Sequence, residues 1–425
     1  MDAPTAFSVP APPIRATPAS IAALPGVPAS AKGALMACSR VRNGSLTITL
    51  PNGQTLICGD DKGPAAVMNV RDYKFARRLL ASGDIGFAEG FIAGDWDSPD
   101  LSALLTLFAD NVERISRFFF GGPIGQVINF IHHRRRENTR EGSKRNILAH
   151  YDLGNRFYEA WLDRSMTYSA AKFDAQTRDL EAAQLAKYRA LAKHLDLKPG
   201  EHVLEIGCGW GGFAEVAAKE FGARVTGLTI SDEQLTFART RMEKAGLTHL
   251  VEIRHQDYRD VEGSYDKVAS IEMFEAVGEK YWPAYFAKIA EVLKPGGRAA
   301  LQIITIKDEL FEHYRSRADF IQRYVFPGGM LASLERLKTE TAAAGLVWRA
   351  VDAFGQSYAD TLAEWGRRFT GKWEDIRAMG FDDRFKQLWR FYLSYCEAGF
   401  RTGRTDVVQL ELARPLTVEG AVGPA

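Results

Sequence analysis

Apolar and polar residues alternate strictly in one short stretch near the start of the chain. From Ser45 the sequence reads SLTITLPNGQTLIC, with Pro51, Asn52 and Gly53 at its middle. Alternation with period two is typical of a half-buried strand, and the Pro, Asn and Gly residues favour a tight turn. The pattern predicts a β-hairpin that opens a small N-terminal α+β domain over residues 36–115.

Helical periodicity follows the hairpin within the same domain. The stretch DYKFARRLLASGDIGFAEGFIAGDWDSPDLSALLTLF predicts a helix, a connection rich in glycine, and a second helix that begins near Ser98. The glycines of the connection are Gly83, Gly86 and Gly90.

The rest of the chain alternates between strands and helices. From about residue 146, apolar runs such as HVLEIGCG, RVTGLTIS, LVEIRHQD and RAALQIITI are separated by helical segments. Such alternation is typical of a parallel sheet with helices on both faces. The fold class predicted for residues 146–415 is therefore α/β, with a doubly wound, mostly parallel, Rossmann-like sheet.

Two segments have an unusual composition. Residues 1–35 are rich in Ala, Pro, Ser and Thr and predict a disordered tail, because they offer little apolar surface to bury. Residues 116–145 predict an amphipathic and basic linker, in which RFFFGGPIGQVINFIHHRRR places bulky apolar residues beside a basic cluster. Two interpretations of this linker stay open: contact with an anionic bilayer surface, or a helix packed between domains.

Charge and cysteine content argue against several classes of protein. The 425 residues are 46% hydrophobic, and the formal charge of +1 argues against a nucleic-acid partner. The cysteines lie far apart without nearby histidines, which predicts neither a metal site nor a disulfide framework. They are Cys38, Cys58, Cys208 and Cys396. Without a long apolar run or a signal-peptide pattern, the sequence predicts a cytoplasmic protein.

A glycine-rich turn follows the first strand of the α/β region. In VLEIGCGWGGF, over residues 203–213, Gly207, Gly209 and Gly211 allow the backbone to approach a ligand at the carboxyl end of a strand. A glycine string alone is weak evidence, since it also serves dinucleotides or a tight turn without a ligand. The spacing E-x-G-x-G resembles the first motif of class I S-adenosylmethionine methyltransferases, and GLTIS, HQDYRD and SIEMFEAVG follow in the order of that class.

The predicted cofactor, S-adenosylmethionine, is a cation. Its site should therefore offer carboxylates and aromatic faces, which Glu205, Asp257, Trp210 and Tyr258 could supply. Asp257 is favoured as an adenine ligand over a helix cap, and core packing stays a competing role for Trp210. The full set predicted to bind the cofactor is Tyr168, Ser169, Glu205, Gly207, Gly209, Gly211, Thr229, Gln234, Asp257 and Tyr258.

A narrower resemblance comes from the segment HYDLGNRFYEAWLDRSMTYSAAKF over residues 150–173. Together with GDWDSP, FIQRYVFPGGML and FGQSYADTLAEW, it resembles the cyclopropane-fatty-acyl-phospholipid synthase family, and in particular the subgroup that makes methyl-branched or furan fatty acid precursors. The resemblance implies that a cis alkene of a membrane phospholipid attacks the methyl group and leaves a carbocation in a dry, aromatic pocket. Expected pocket residues are Ala170, Phe274, Tyr324 and Phe326.

The same resemblance implies a base. In ring-forming relatives, the base is a bicarbonate ion held by a cysteine backbone, a glutamate, a histidine and a tyrosine. Glu275 and Tyr358 stand at the glutamate and tyrosine positions, while Ala170 and Gln302 replace the cysteine and the histidine. Because glutamine cannot relay a proton, we expect a methyl-branched unsaturated product, with ring closure as the alternative. The catalytic residues predicted in this way are Glu275, Tyr358 and Gln302.

Other interpretations stay open at this point. Glu275 could simply cap the next helix, and the chain could be an inactive lipid-binding homologue or a methyltransferase of a sterol or an amine. The family resemblance further implies peripheral contact with the inner face of the membrane, homodimerisation, and an oxidoreductase that acts on the product.

Overall fold

The computed structural model describes residues 12–60, 62–119, 153–174 and 179–416. The chain forms two compact units, one from Met1–Ile131 with Phe381–Thr402 and one from His132–Gly380 with Gly403–Ala425. We call them the N-terminal unit and the α/β unit. The linker predicted over residues 116–145 lies outside the described residues beyond Phe119. No helix among the described residues is long and apolar enough to cross a membrane.

A five-stranded sheet forms the centre of the N-terminal unit, in the order β1-β3-β2-β4-β5. Its strands are β1 Ile14–Arg15, β2 Ser45–Thr49, β3 Thr55–Gly59, β4 Ala65–Val70 and β5 Trp96–Asp97. The antiparallel pairing of β2 with β3 confirms the predicted hairpin. Leu46, Ile48 and Leu56 are fully buried, as alternation along the two strands requires.

The prediction of a disordered tail over residues 1–35 is wrong for residues 12–35. Strand β1 pairs in parallel with β3, and helices α1 Pro18–Ala22 and α2 Ala29–Cys38 follow it. Composition misled the prediction because a few well-spaced apolar side chains are enough to anchor the segment, and Ile21 and Ala31 are fully buried. Residues 1–11 lie outside the described residues.

Four further helices belong to the N-terminal unit: α3 Lys74–Ile92, α4 Leu101–Asp110, α5 Val112–Phe119 and α16 Asp383–Arg401. The predicted glycine-rich connection is instead a kink at Gly83 within α3. Gly86 lies so close to the preceding turn that a Cβ atom would come within 1.9 Å of the Arg78 carbonyl oxygen. Glycine there permits close packing and does not end the helix.

Helix α16 also corrects the predicted domain boundary, because residues 146–415 were expected to form one domain. The helix instead packs in the N-terminal unit, where Ser102 Oγ donates a hydrogen bond to Glu397 Oε2 at 2.7 Å. The rings of Phe91 and Phe391 lie 5.7 Å apart between centroids. The N-terminal unit is therefore discontinuous in sequence.

The α/β unit contains a seven-stranded sheet in the order β11-β12-β10-β9-β6-β7-β8. Five strands run parallel, and β12 and β11 complete the sheet in antiparallel pairing. This confirms the predicted doubly wound, mostly parallel sheet. The strands are β6 His202–Ile206, β7 Arg224–Thr229, β8 Val251–His255, β9 Tyr265–Ile271, β10 Leu293–Ile306, β11 Val347–Ala353 and β12 Thr405–Ala413.

Helices surround this sheet. They are α6 Asn155–Glu159, α7 Leu180–His194, α8 Gly212–Phe221, α9 Asp232–Lys244, α10 Trp282–Val292, α11 Asp308–Arg315, α12 Phe320–Tyr324, α13 Leu334–Ala343, α14 Gly355–Gly371 and α15 Trp373–Arg377. Buried side chains from both faces of the sheet form two apolar clusters. The central strands β6, β9 and β10 are thus fixed from both sides, and the residues at their carboxyl ends meet at one edge.

Candidate active site

The glycine-rich turn between β6 and α8 has the backbone geometry that its sequence predicts. Gly207, Gly209 and Gly211 have φ values of 79°, 53° and 82°, which favour glycine. A Cβ atom at Gly209 would meet no atom within 4 Å, whereas one at Gly207 would lie 2.7 Å from Met273 Cγ. The turn therefore leaves open space above Gly209.

Glu205 lies in β6 directly before this turn and is 2% exposed. Among the described residues, its Oε2 atom has no hydrogen-bond partner. Burial raises the pKa of Glu205 to about 8, although the cations of Lys187 and Arg241 lower it. A buried carboxyl oxygen without a partner is costly, and a cationic ligand above the turn would satisfy it. These residues therefore fit S-adenosylmethionine.

The other residues predicted to bind the cofactor already contact one another or their neighbours. Thr229 Oγ1 donates to Gln234 Oε1 at 2.9 Å. Asp257 accepts hydrogen bonds from the backbone and the guanidinium of Arg259 at distances of 2.5 to 3.0 Å, so the structure shows the helix cap that was the less favoured role. The Tyr258 ring packs against Tyr285, with centroids 5.3 Å apart.

Aromatic rings from the segment before α7 and from α14 form a cluster beside the glycine-rich turn. We define the aromatic cluster as Tyr158, Trp161, Tyr168 and Trp365, whose contacting pairs have centroids 5.2 to 5.9 Å apart. Trp210 of the turn joins it through Tyr158 at 5.2 Å. The Trp210 Nε1 atom donates to Asn155 Oδ1 at 2.7 Å, so its ring packs in the structure and also borders the turn.

A second carboxylate, that of the half-buried Glu272, lies directly after the neighbouring strand β9. Its Oε1 accepts hydrogen bonds from the Ala170 backbone N–H at 2.8 Å and from Gln302 Nε2 at 2.7 Å. Its Oε2 accepts one from the Tyr358 hydroxyl at 2.7 Å. Three groups that the sequence assigned to the site therefore converge on a residue that sequence reasoning missed.

Buried polar residues extend this arrangement. Gln302 Oε1 accepts a hydrogen bond from Gln409 Nε2 at 3.1 Å, since the two glutamines are paired across β10 and β12. Lys187 Nζ donates to Ser169 Oγ at 2.6 Å. Burial raises the pKa of Glu272, while the Lys187 cation and the three donors lower it. Burial also lowers the pKa of Lys187 to about 7.

Glu275, the predicted catalytic glutamate, lies in a different environment. One of its oxygens accepts a hydrogen bond from the Ile304 backbone N–H at 2.6 Å, and Oε2 is buried without a partner among the described residues. Burial and the nearby charge of Glu272 raise the pKa of Glu275 to about 8. Gln302 and Tyr358 were predicted to act together with Glu275. In the structure they donate hydrogen bonds to Glu272 instead.

The four residues predicted to line the pocket differ in how deeply they are buried. Phe274 is 1% exposed and stacks on Trp282 with centroids 5.3 Å apart, so it belongs to the apolar core. Tyr324 and Phe326 are half-buried, and Tyr324 packs on Phe320 at 5.4 Å. Ala170 is fully buried and contributes through its backbone N–H.

Signals for the missed residues are present in the sequence. Glu272 is the first residue after β9, and polar residues at the carboxyl ends of parallel strands are candidates for ligand contact. Lys187 lies between Ala183 and Leu191 at helical spacing on the buried face of α7, where a lysine without a specific role is rare.

Bicarbonate does not fit this arrangement. The Ala170 backbone, Gln302 and Tyr358 are the groups that the resemblance assigned to the ion together with Glu275, and all three already bind the carboxylate of Glu272. No group of three or more His, Cys, Asp or Glu side chains in the described part of the chain is placed to hold a metal ion.

The parallel sheet, the glycine-rich turn and the unpaired Glu205 oxygen together define a class I S-adenosylmethionine-dependent methyltransferase. The chain belongs to the mycolic acid cyclopropane synthetase family, whose model matches residues 138–410. It is similar to tuberculostearic acid methyltransferase UfaA1 of Mycobacterium tuberculosis, with 38% identity over 93% of this chain and 95% of that protein. It is also similar to cyclopropane-fatty-acyl-phospholipid synthase of Escherichia coli, with 33% identity over 82% and 88% of the two chains.

Solved structures agree with this assignment. The cyclopropane synthase MmaA2 from Mycobacterium tuberculosis matches with a TM-score of 0.60 and 28% identity, covering 64% of this chain and 98% of that one. The mycolic acid cyclopropane synthase CmaA1, complexed with SAH and CTAB, matches with the same values. The protein is therefore an enzyme that transfers methyl groups from S-adenosylmethionine to unsaturated acyl chains of lipids.

Proposed function

We propose that this enzyme methylates the cis double bond of acyl chains carried by membrane phospholipids and releases a methyl-branched, unsaturated chain. The observation that carries the proposal is the aromatic cluster beside the glycine-rich turn, with ring centroids 5.2 to 5.9 Å apart. A cation on the acyl chain is stabilised by aromatic faces and has to be kept from water.

The residues of the chain have separate roles in this reaction. Bound S-adenosylmethionine supplies an electrophilic methyl group, and the attack of the alkene leaves a positive charge on the acyl chain. Tyr158, Trp161 and Trp365 are almost completely buried, so their rings exclude water from the reacting carbons. Glu205 supplies a negative charge near the cationic cofactor. Its unpaired Oε2 atom supports this role, because a bound cation would give that oxygen a partner.

The preference for a branched product rests on two observations. Gln302 stands where the resemblance places a histidine, and an amide cannot pass on a proton. One relative, 38% identical over most of the chain, is named a tuberculostearic acid methyltransferase. Loss of a proton from a neighbouring chain carbon gives a branched alkene, whereas loss from the new methyl group with ring closure gives a cyclopropane. Cyclopropane formation is the second candidate, because the relative in Escherichia coli is named a cyclopropane-fatty-acyl-phospholipid synthase.

The proposal extends to the surroundings of the reaction. The name of the Escherichia coli relative supports a phospholipid substrate, and its acyl chain must leave the bilayer to reach a buried site. Peripheral contact with the inner face of the membrane follows from that requirement. An oxidoreductase acting afterwards would saturate or further oxidise the branched alkene. Homodimerisation stays a prediction.

Methionine with a trideuterated methyl group tests the proposal. Cells that express the enzyme are fed this methionine, and their phospholipid acyl chains are analysed by mass spectrometry. A branch that retains three deuterium atoms, in a chain with one remaining double bond, supports the proposal. Retention of two deuterium atoms contradicts it, because the proton would then have left the new methyl group. Cells that carry an empty vector provide the control for host enzymes.

A further inference from the structure

We propose that Glu272 is the base that accepts the proton lost by the methylated acyl chain, and that its carboxylate makes a bound bicarbonate ion unnecessary. The inference rests on the proposed methylation of the acyl chain, but it holds for either of the two candidate products. It assigns a catalytic role to a residue of the chain itself.

The three hydrogen bonds that Glu272 accepts leave one lone pair of its carboxylate unused. Oε1 accepts two hydrogen bonds, from the Ala170 N–H and from Gln302 Nε2. Oε2 accepts one, from the Tyr358 hydroxyl. Each carboxylate oxygen has two lone pairs, so Oε1 is saturated and Oε2 keeps one lone pair. The three donors fix the carboxylate in one orientation with that lone pair available.

The position of Tyr358 connects Glu272 Oε2 to the aromatic cluster. The Tyr358 ring meets Trp365 of the aromatic cluster edge to face, with centroids 6.1 Å apart. Trp365 in turn lies 5.2 Å from Tyr168. Glu272 itself is only partly buried. Oε2 of Glu272 is therefore connected through Tyr358 to the rings that would surround the carbocation.

The electrostatic surroundings suit a base. Burial makes the carboxylate a stronger proton acceptor than a glutamate in water, because it raises the pKa of Glu272. The cation of Lys187 and the three donors oppose this effect and lower the pKa. A general base works best when its pKa lies near the working pH, and the net upward direction of the Glu272 pKa is toward that range.

The backbone supports a specialised role. Glu272 has a φ of 49°, a left-handed conformation that costs energy in a residue with a Cβ atom. Strained residues of this kind persist where surrounding contacts over-determine them, and they cluster at functional sites. Here the three donors to the side chain hold the residue in place.

The chemistry balances without a further reactant. After methyl transfer, the C–H bond on a chain carbon next to the cation breaks, and its electron pair forms the new double bond. The proton binds to Glu272 Oε2, which becomes a neutral carboxylic acid. Release of this proton to solvent restores the carboxylate before the next turnover. In the ring-forming alternative, the proton comes from the new methyl group and is accepted in the same way.

The variant Glu272→Gln tests the role of the carboxylate. It keeps the size of the side chain but removes the proton acceptor, so turnover should fall by about 100-fold or more. Binding of S-adenosylmethionine, measured by calorimetry, should stay within about twofold of the native value. Turnover within about threefold of the native enzyme would overturn the proposal. So would a loss of cofactor binding as large as the loss of turnover.

A matched control is available in Glu340, a buried glutamate of the same unit that accepts a hydrogen bond from Arg336 at 2.8 Å. Glu340→Gln makes the same chemical change away from the three donors of Glu272. Its turnover should stay close to that of the native enzyme at temperatures where it is folded. An equal fall of turnover in both variants would mean that loss of a buried carboxylate, and not loss of a base, explains the effect.

Rescue by small carboxylates separates a base from a structural residue. Glu272→Gly removes the side chain and tolerates the positive φ, which leaves the three donors without a partner. Added bicarbonate or formate should then raise turnover by about tenfold or more, whereas native turnover in buffer freed of carbon dioxide should be unchanged. A native enzyme that requires bicarbonate would overturn the proposal, and so would a folded glycine variant that neither anion rescues.

Failure of this inference can be distinguished from failure of the proposed function. If the native enzyme makes a cyclopropane and Glu272→Gln abolishes its formation, the proposed branched product is contradicted. The role of Glu272 as the base is then still supported. If the native enzyme makes the branched chain and Glu272→Gln makes it equally fast, only the role of Glu272 fails.

Discussion

Two glutamates at the carboxyl edge of the same sheet differ in how many hydrogen bonds their oxygens receive. Glu205 lies near the end of β6 and Glu272 directly after β9, and these strands are neighbours in parallel pairing. Oε2 of Glu205 has no partner in the described part of the chain. The carboxylate of Glu272 receives hydrogen bonds from three protein groups.

The difference indicates which part of the site needs a ligand. A buried polar atom without a partner has a free-energy cost that a bound ligand can remove, so Glu205 marks the place of a cation from outside the protein. Glu272 is already held and oriented by the fold, so it can act in the reaction with no further ion. We therefore expect one carboxylate to bind the cofactor and the other to accept the proton.

Among the variants that test this comparison, Glu205→Gln should have the largest effect on the affinity for the cofactor. Removing the charge should weaken binding of S-adenosylmethionine by about 10-fold to 100-fold, since a hydrogen bond to a charged group contributes about 1.5–3 kcal/mol. Turnover at saturating cofactor should change much less. Calorimetry gives the affinity, and release of S-adenosylhomocysteine gives the rate.

Glu272→Gln is the natural counterpart, because it should show the opposite pattern of weak turnover and normal affinity. The proposed difference between the two glutamates would be contradicted if Glu205→Gln lowered the rate at saturating cofactor and left the affinity for the cofactor unchanged. In that case the unpaired oxygen of Glu205 would not mark the cofactor site.

The two glutamates also show what a sequence can reveal about such a site. The glycine-rich turn is one contiguous stretch, so its spacing and the motifs that follow it predict Glu205, Gly207, Gly209 and Gly211 as cofactor-binding residues. The environment of Glu272 is assembled from β9, β10, α14 and the segment before α7. Such convergence depends on tertiary packing, and the sequence therefore pointed to Gln302 and Tyr358 without the carboxylate between them.

The fold shows the same division between local and long-range information. The parallel sheet was predictable because each strand carries its own apolar run. The assignment of α16 to the N-terminal unit was not, because it rests on contacts such as Ser102 with Glu397, almost 300 residues apart in sequence. The ordered segment over residues 12–35 also depends on a distant partner, since β1 pairs with β3.

Two glycine variants, with smaller expected effects on affinity and turnover, test separately the open space of the turn and the surroundings of Glu272. Gly207→Ala and Gly209→Ala both place a Cβ atom at positive φ, which should cost about 1–2 kcal/mol of stability each. Only the first would displace Met273, whose Cγ lies 2.7 Å from the added atom and which follows Glu272 directly. Gly209→Ala instead fills the open space of the turn.

We therefore expect Gly209→Ala to weaken cofactor affinity more, and Gly207→Ala to lower turnover at saturating cofactor more. Melting temperatures measured on both variants separate these effects from loss of fold. Identical affinities and rates in the two variants would mean that the turn and the Glu272 site respond as one unit.

The smallest effect on catalysis is expected at Glu275, which has an unpaired oxygen like Glu205 and lies in the same short segment as Glu272. Its pKa is raised from 4.5 to about 8, and the charged or titratable groups around it include Glu272, Tyr285 and Tyr314. Between these two pH values the folded protein holds a proton that the unfolded chain releases. The contribution of Glu275 to stability is therefore complete below pH 4.5 and is lost as the pH rises through 8.

Glu275→Gln removes this titration, so the variant should gain stability relative to the native protein by about 1 kcal/mol for each unit that the pH rises between 5 and 8. Urea unfolding at several pH values in that window measures the difference. Glu340→Gln again provides the control, because no unpaired oxygen of that residue is buried among the described residues. Stability curves of Glu275→Gln and the native protein that stay parallel with pH would mean that Glu275 is ionised in the fold. It would then compete with Glu272 for the role of base, since both carboxylates would be charged at the working pH.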